Sequence, residues 1–141
     1  MNGVLILLAT MLQGQELETP RPELTLDYAF FKERVQPIFL AKRQGLARCF
    51  VCHDHRIPPL QPLTPGTSTW TEEQSRQNFI AWKQFVVPGK PDKSRMLLHP
   101  LAKSAGGDRF HGGGKHWKSK SDPEWQILSA WVMGETLGGA K

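Results

Sequence analysis

The chain has 141 residues, a formal net charge of +5 and 39% hydrophobic residues, among them five tryptophans and seven phenylalanines. This length fits one domain, and the apolar content excludes a chain too polar to build a core. The 13 glycines and 11 prolines indicate that much of the chain lies in loops.

The sequence divides into four parts. Residues 1–14 contain an apolar run over 4–12, which is shorter than the ~20 residues of a membrane span. Such a run is typical of the hydrophobic segment of a secretory signal, with a buried strand as the alternative. Residues 15–25 are polar and predict a linker, 26–136 a single folded domain, and 137–141 a flexible tail.

The first predicted helix spans residues 26–43. Its apolar positions recur at i, i+4, i+7 and i+8, on one helix face: Phe31, Val35, Ile38 and Phe39. Pro37 falls inside this pattern and is expected to kink or divide the helix. Gln44 and Gly45 follow and are expected to end it.

Three further helices are predicted. Thr71 and Gln74 form a capping-box pattern that opens the second, and Ser94 is expected to cap a short third helix over 94–101. Asp122 and Pro123 begin the last helix, and Gly134 ends it. The side chains expected to form the core are aromatic: Phe31, Phe39, Trp82, Trp125 and Trp131.

The segments between these helices are rich in turn-forming residues. Four prolines fall in residues 56–66, and five glycines in 105–121. Because no repeat and no pair of strands is recognisable, the sequence predicts an all-α fold with long Pro/Gly-rich loops.

Cys49-Phe50-Val51-Cys52-His53 is a C-x-x-C-H motif, the attachment signature of a c-type haem. Two thiols at this spacing each add to one vinyl group, and His53 supplies the proximal ligand to the iron. A thioredoxin-like redox pair is an alternative, but the βαβ pattern that it requires is absent. A zinc site is another, for which only histidines remain as further ligands.

The chain resembles the planctomycete-type cytochrome c domain, a small exported cytochrome c with a single haem. Three stretches carry the resemblance: residues 31–53 with the haem motif, 87–97 around Val87-Pro88-Gly89-Lys90-Pro91, and 125–134 in the last helix. The resemblance implies an all-α cytochrome c-like fold, one haem c, and electron transfer.

The sixth iron ligand is where the chain departs from that family. The family offers a methionine in the loop before the last helix, and here His111 stands in that loop. We therefore expect His53 and His111 to ligate the iron, with His99 as the second choice for the distal position. The other candidates for this position are His116, Met96 and Met133. Met133 is expected to pack in the core instead, as is Met96.

Two functions remain open for a single covalent haem. An iron with two imidazole ligands transfers electrons and has no vacant position for a substrate. An iron with an open sixth position would suit a haem peroxidase or a gas-binding protein. We expect an electron carrier or an electron-transfer subunit of a larger redox complex rather than an enzyme, and no catalytic triad or phosphate-binding loop is recognisable.

Residues 90–120 hold eight lysines and arginines and two aspartates, a local charge of +6. This segment is either a solvated surface or a docking face for a redox partner with an acidic surface. No nucleic-acid motif accompanies it. A membrane redox complex is another expected partner, and membrane contact is expected only through an uncleaved N-terminal segment. Because bacterial c-type haem is attached outside the cytoplasm, we expect the periplasm or the outer face of the cytoplasmic membrane.

Overall fold

A computed structural model describes residues 24–139. Within that range the regular elements are helices, with no strand and only three isolated bridges. The all-α prediction is therefore confirmed for the described part of the chain. The predicted signal segment at 1–14 and most of the linker at 15–25 lie outside it.

The first helical segment, α1, covers residues 28–40 in three parts: Tyr28–Phe30 and Gln36–Leu40 are α-helical, and Phe31–Val35 is a π-helical turn. Pro37 cannot donate the backbone hydrogen bond of a continuous α-helix, and the wider π turn immediately precedes it. The predicted irregularity is therefore present as the π turn before Pro37, but the segment stays helical through Leu40 and is not divided at the proline. The helix ends at Leu40, before the predicted end, because Ala41 has an extended backbone.

Four helices follow: α2 is Cys49–His53, α3 is Glu72–Trp82, α4 is Arg95–Leu98 and α5 is Pro123–Val132. The capping box of α3 is confirmed, because the Gln74 backbone N–H donates to the Thr71 hydroxyl at 3.2 Å and the Gln74 side chain accepts from the Thr71 N–H at 3.0 Å. Asp122 caps α5 by accepting from the Glu124 N–H at 3.1 Å. The caps read from the sequence thus fix the beginning of both longer helices.

Ser94 stands at the start of α4, but its side chain makes no capping hydrogen bond there. Its hydroxyl instead accepts from the Val87 N–H and donates to the Lys90 carbonyl, both at 2.9 Å. The predicted cap is therefore wrong in its bonding. Ser94, which is fully buried, holds the 87–91 turn against the start of α4.

The core lies between α1, α3 and α5. The Trp131 ring packs 5.2 Å from Phe31 and 6.2 Å from Phe79, measured between ring centroids. All five aromatic side chains predicted for the core are buried. Met133 was predicted to join them and is 53% exposed, because α5 ends at Val132 and Gly134 turns the chain away with a φ of +88°.

A polar network is buried between α1 and α3. The Gln36 side-chain amide donates to the Ser75 hydroxyl at 3.0 Å, and the Asn78 amide donates to Gln36 Oε1 at 3.3 Å. Asn78 Oδ1 also accepts from the Gln61 N–H at 2.7 Å. Gln36, Ser75 and Asn78 are at most 3% exposed. Each of these hydrogen bonds therefore replaces a hydrogen bond that the unfolded chain makes with water.

We expect Asn78→Ala to lower the free energy of unfolding by about 2 kcal/mol, because the Gln36 oxygen and the Gln61 N–H lose their partner inside the protein. Urea unfolding measures the change. Gln77→Ala, on the exposed side of the same helix, is the matched control and is expected to cost less than about 0.5 kcal/mol. Equal losses in the two variants would contradict a structural role for the network.

Candidate cofactor-binding site

A cavity of about 400 Å³ lies beside α2 and α4. This volume falls in the range of roughly 300–1,000 Å³ typical of ligand and cofactor sites. Its apolar walls come from α1, α3, α5 and the loop before α5: Ile38, Phe39, Trp82, Leu128 and Trp117. Every residue predicted for the haem site from the sequence lines it: Cys49, Cys52, His53, His99 and His111.

The C-x-x-C-H motif forms α2 itself. Positions i, i+3 and i+4 of a helix share one face, so a single turn directs Cys49, Cys52 and His53 to the cavity. Both thiols are free and half-buried. Burial raises the pKa of the Cys49 thiol, and the Arg43 guanidinium, whose Nη1 lies 4.0 Å from the sulfur, opposes that rise.

His53 is held by a backbone carbonyl. Its Nδ1 lies 2.8 Å from the Pro58 oxygen, and because a carbonyl only accepts, Nδ1 carries the proton and Nε2 keeps its lone pair. The ring meets Trp82 edge to face at 5.0 Å. Burial lowers the pKa of His53, which keeps the imidazole neutral, the form that binds a metal.

His111 is held in the same way. Its Nδ1 donates to the Gly114 carbonyl at 2.5 Å, which leaves Nε2 available as a ligand. Burial lowers the pKa of His111. A Cβ on Gly113 would lie 3.3 Å from His111 Cε1, and one on Gly114, with a φ of +83°, would lie 2.7 Å from a methyl of Leu46. The glycines therefore let this loop fold tightly around the imidazole.

His99, the second predicted distal ligand, follows α4. Its Nδ1 lies 2.9 Å from Asp108 Oδ2, and its ring centroid is 4.9 Å from that of His111. The Lys115 ammonium donates to the backbone carbonyls of His99 and Asp108, which ties the loop to the end of α4. The structure thus brings both candidate imidazoles to one place, and they differ in the acceptor that holds Nδ1.

His116, another candidate for the distal position, also lines the cavity. Its ring centroid lies 5.7 Å from that of His111. Its buried Nδ1 has no hydrogen-bond partner among residues 24–139. Burial, with the nearby Arg43 cation, lowers the pKa of His116 to about 4. No periodicity or motif in the sequence indicates this placement.

An ion pair between Arg43 and Glu124 lies behind the cavity, and the sequence gives no indication of it. Arg43 Nε donates to Glu124 Oε2 at 2.9 Å, and the Trp117 indole donates to the same oxygen at 3.0 Å. Arg43 also donates to the carbonyls of Ala41 and Ile38. This network joins the end of α1 to the start of α5 across 81 residues of sequence, a separation that no local pattern reveals.

No group of three or more His, Cys, Asp or Glu side chains in the described range is arranged to hold a metal ion by itself. The described helices include none that is long and apolar enough to cross a membrane. No family model, curated protein or solved structure matches the chain. The geometry of the cavity therefore carries the functional interpretation.

Proposed function

We propose that this protein carries one covalently attached haem c in a small cytochrome c-like fold and that it transfers electrons. One observation carries the proposal: the cavity that contains the C-x-x-C-H motif also contains two imidazoles, His53 and His111, whose Nδ1 atoms both donate to backbone carbonyls. Imidazoles that bind a metal through Nε2 are characteristically held by such a bond.

The residues present fit this cofactor. Cys49 and Cys52 would hold it through two thioether bonds, and His53 and His111 would be its axial ligands. The haem supplies one-electron exchange at its iron. Hydrogen bonds from Nδ1 to carbonyls orient the two rings and increase the electron donation of Nε2. The buried aromatic walls exclude water, which keeps the site at a low dielectric.

Two imidazole ligands favour electron transfer over catalysis. With both axial positions filled by side chains, a substrate has no site on the iron. A second imidazole donates more strongly than a methionine thioether and lowers the reduction potential. Two histidines beside His111 in the cavity, His99 and His116, add further nitrogen donors and weigh against a permanently open position.

The cellular setting follows from the cofactor. Because c-type haem is attached outside the cytoplasm in bacteria, the proposal includes export to the periplasm or the outer face of the cytoplasmic membrane, with residues 1–14 as the signal. The partner is a soluble redox protein or a membrane redox complex.

The test is the visible and low-temperature EPR spectrum of the protein matured with haem c. We expect a low-spin iron without the absorption band of a methionine–iron bond, and a high-spin iron in His111→Ala. His55→Ala is the matched control, because that side chain is 86% exposed and its removal is expected to leave the spectrum unchanged.

Other outcomes of this test are equally decisive. A His111→Ala spectrum unchanged from wild type, together with a high-spin His99→Ala, would assign the distal position to His99. A wild-type iron that is already high-spin would contradict two imidazole ligands and favour a peroxidase or a gas-binding protein. Failure of the two cysteines to retain haem in denaturant would contradict the proposal itself.

A further inference from the structure

The mouth of the cavity exposes two large apolar side chains. Ile57 is 82% exposed and Phe110 is 74% exposed, whereas no other large hydrophobic side chain among residues 24–139 exceeds 53%. Single exposed apolar residues are ordinary on protein surfaces. Here, however, the two most exposed ones come from separate loops and line the same cavity, so they form one apolar rim.

The same rim is positively charged. Arg48, Arg56 and Arg95 line the cavity, and among residues 24–139 no aspartate or glutamate does. A Cβ on Gly112 would lie 3.2 Å from the Arg56 Nη1 and 4.0 Å from the Phe110 ring, so the guanidinium and the ring meet at this glycine. The rim therefore combines an apolar centre with cations that have no carboxylate beside them in the cavity wall.

The basic segment at 90–120 does not form one comparable face. The Lys120 ammonium is paired with Asp92 at 2.5 Å, and the Lys115 ammonium is bound to the two backbone carbonyls described above. Of the segment's lysines and arginines, only Arg95 lines the cavity. The arginines that line the cavity thus come from three separate parts of the chain.

We propose that this rim, defined as Arg48, Arg56, Ile57, Arg95 and Phe110, is the docking surface for a redox protein that presents carboxylates around an apolar patch. The inference rests on the proposed function, since electrons would cross at the mouth of the haem cavity. Arginines steer an acidic partner toward the rim and pair with its carboxylates. Burial of the isoleucine and phenylalanine side chains then increases the lifetime of the docked complex.

The charge contribution is tested with the haem-loaded triple variant Arg48→Gln, Arg56→Gln, Arg95→Gln. Stopped-flow spectroscopy follows electron transfer from the reduced protein to an acidic blue-copper protein as acceptor. At low ionic strength we expect the second-order rate constant to fall about tenfold or more. The difference from wild type is expected to shrink as salt screens the charges.

The matched control is Lys90→Gln, Lys93→Gln, Lys103→Gln, which removes the same charge from exposed residues outside the rim. We expect a much smaller loss of rate in this control. Equal losses in the two triple variants would overturn a localised docking surface, as would an unchanged rate in the arginine variant. Arginine-dependent binding to vesicles of anionic lipid with unchanged transfer rates would assign the rim to a membrane and overturn the proposal as well.

The apolar contribution is tested separately, with all charges retained. We expect Ile57→Ser with Phe110→Ser to lower the rate at high salt as well as at low salt, about fivefold or more, because burial of apolar area is not screened by ions. Ile80→Ser, on the exposed face of α3, is the control. An unchanged rate in the double variant would overturn the apolar centre.

Haem content is measured in every preparation, which separates this inference from the function on which it rests. A preparation without covalent haem would overturn both. Full haem content with a low-spin spectrum, together with rates that no rim variant changes, would overturn the docking surface alone.

Discussion

Replacing Trp131 with alanine is expected to lower the free energy of unfolding by about 3–5 kcal/mol, the usual cost of deleting a large aromatic side chain from a core. No part of the side chain is exposed. Its ring packs against Phe31 and Phe79, and its indole N–H donates to the Asp27 carbonyl at 2.9 Å. The substitution therefore opens a cavity between α1, α3 and α5 and removes a hydrogen bond between the two ends of the described chain.

Trp131→Phe tests the hydrogen bond, and Met133→Ala is the exposed control. Trp131→Phe keeps most of the ring and loses the N–H, so it is expected to cost roughly 1–2 kcal/mol. Met133→Ala, two residues further on and half-exposed, is expected to change stability by less than about 0.5 kcal/mol. Urea unfolding measures all three. A loss below about 1 kcal/mol in Trp131→Ala would show that this tryptophan is not central to the packing.

The helices were predictable because their signals are local. Thr71 and Gln74 satisfy backbone groups within four residues of each other, as do Asp122 and Glu124. The capping pattern alone therefore fixes where α3 and α5 begin. Ser94 carries a similar signal, yet its hydroxyl bonds to the 87–91 turn. A cap predicted from one residue type cannot show which competing backbone partner is nearer.

In the candidate site, too, the local motif could be read from the sequence, whereas the contacts made by tertiary packing could not. Cys49, Cys52 and His53 stand within five residues, so the motif alone predicted that they act together. The short helix that gives them a common face was not predicted. Glu124 and Arg43 meet only because α1 and α5 pack together, and His116 enters the cavity only because the loop before α5 folds back. Contacts that depend on tertiary packing leave no period in the sequence, which is why the network behind the cavity was missed.

The loop between α4 and α5 holds the imidazoles of both His99 and His111. Asp108 and Lys115 tie it to His99, and the Gly114 carbonyl accepts a hydrogen bond from His111 Nδ1. The loop is thus held at both ends by polar bonds while its glycines allow close packing. Irregular backbone of this kind can position an axial ligand as firmly as a helix does.

The protein prepared without any cofactor is expected to lose stability as the pH falls from about 6.5 to about 4. The cause is His116, whose pKa is lowered to about 4 by burial, by the Arg43 cation and by His111, against an opposing contribution from Glu124. Because the unfolded chain binds a proton near pH 6.5 and the folded chain does not, unfolding takes up a proton within this window. The contribution of His116 to stability is complete above about pH 6.5 and absent below about pH 4.

The expected loss is about 3 kcal/mol across the window, from about 1.4 kcal/mol for each pH unit between the two pKa values. The lowered pKa values of His53 and His111 act in the same direction. Urea unfolding of the haem-free protein at a series of pH values measures the slope.

The variant His116→Gln removes the titrating group, so its stability is expected to fall less steeply between about pH 6.5 and pH 4 than that of the wild type. His55→Gln is the matched histidine replacement, because that imidazole is 86% exposed. A slope unchanged in His116→Gln would contradict burial of a neutral imidazole at this position. A shallower slope would show that the folded protein holds His116 in its neutral form.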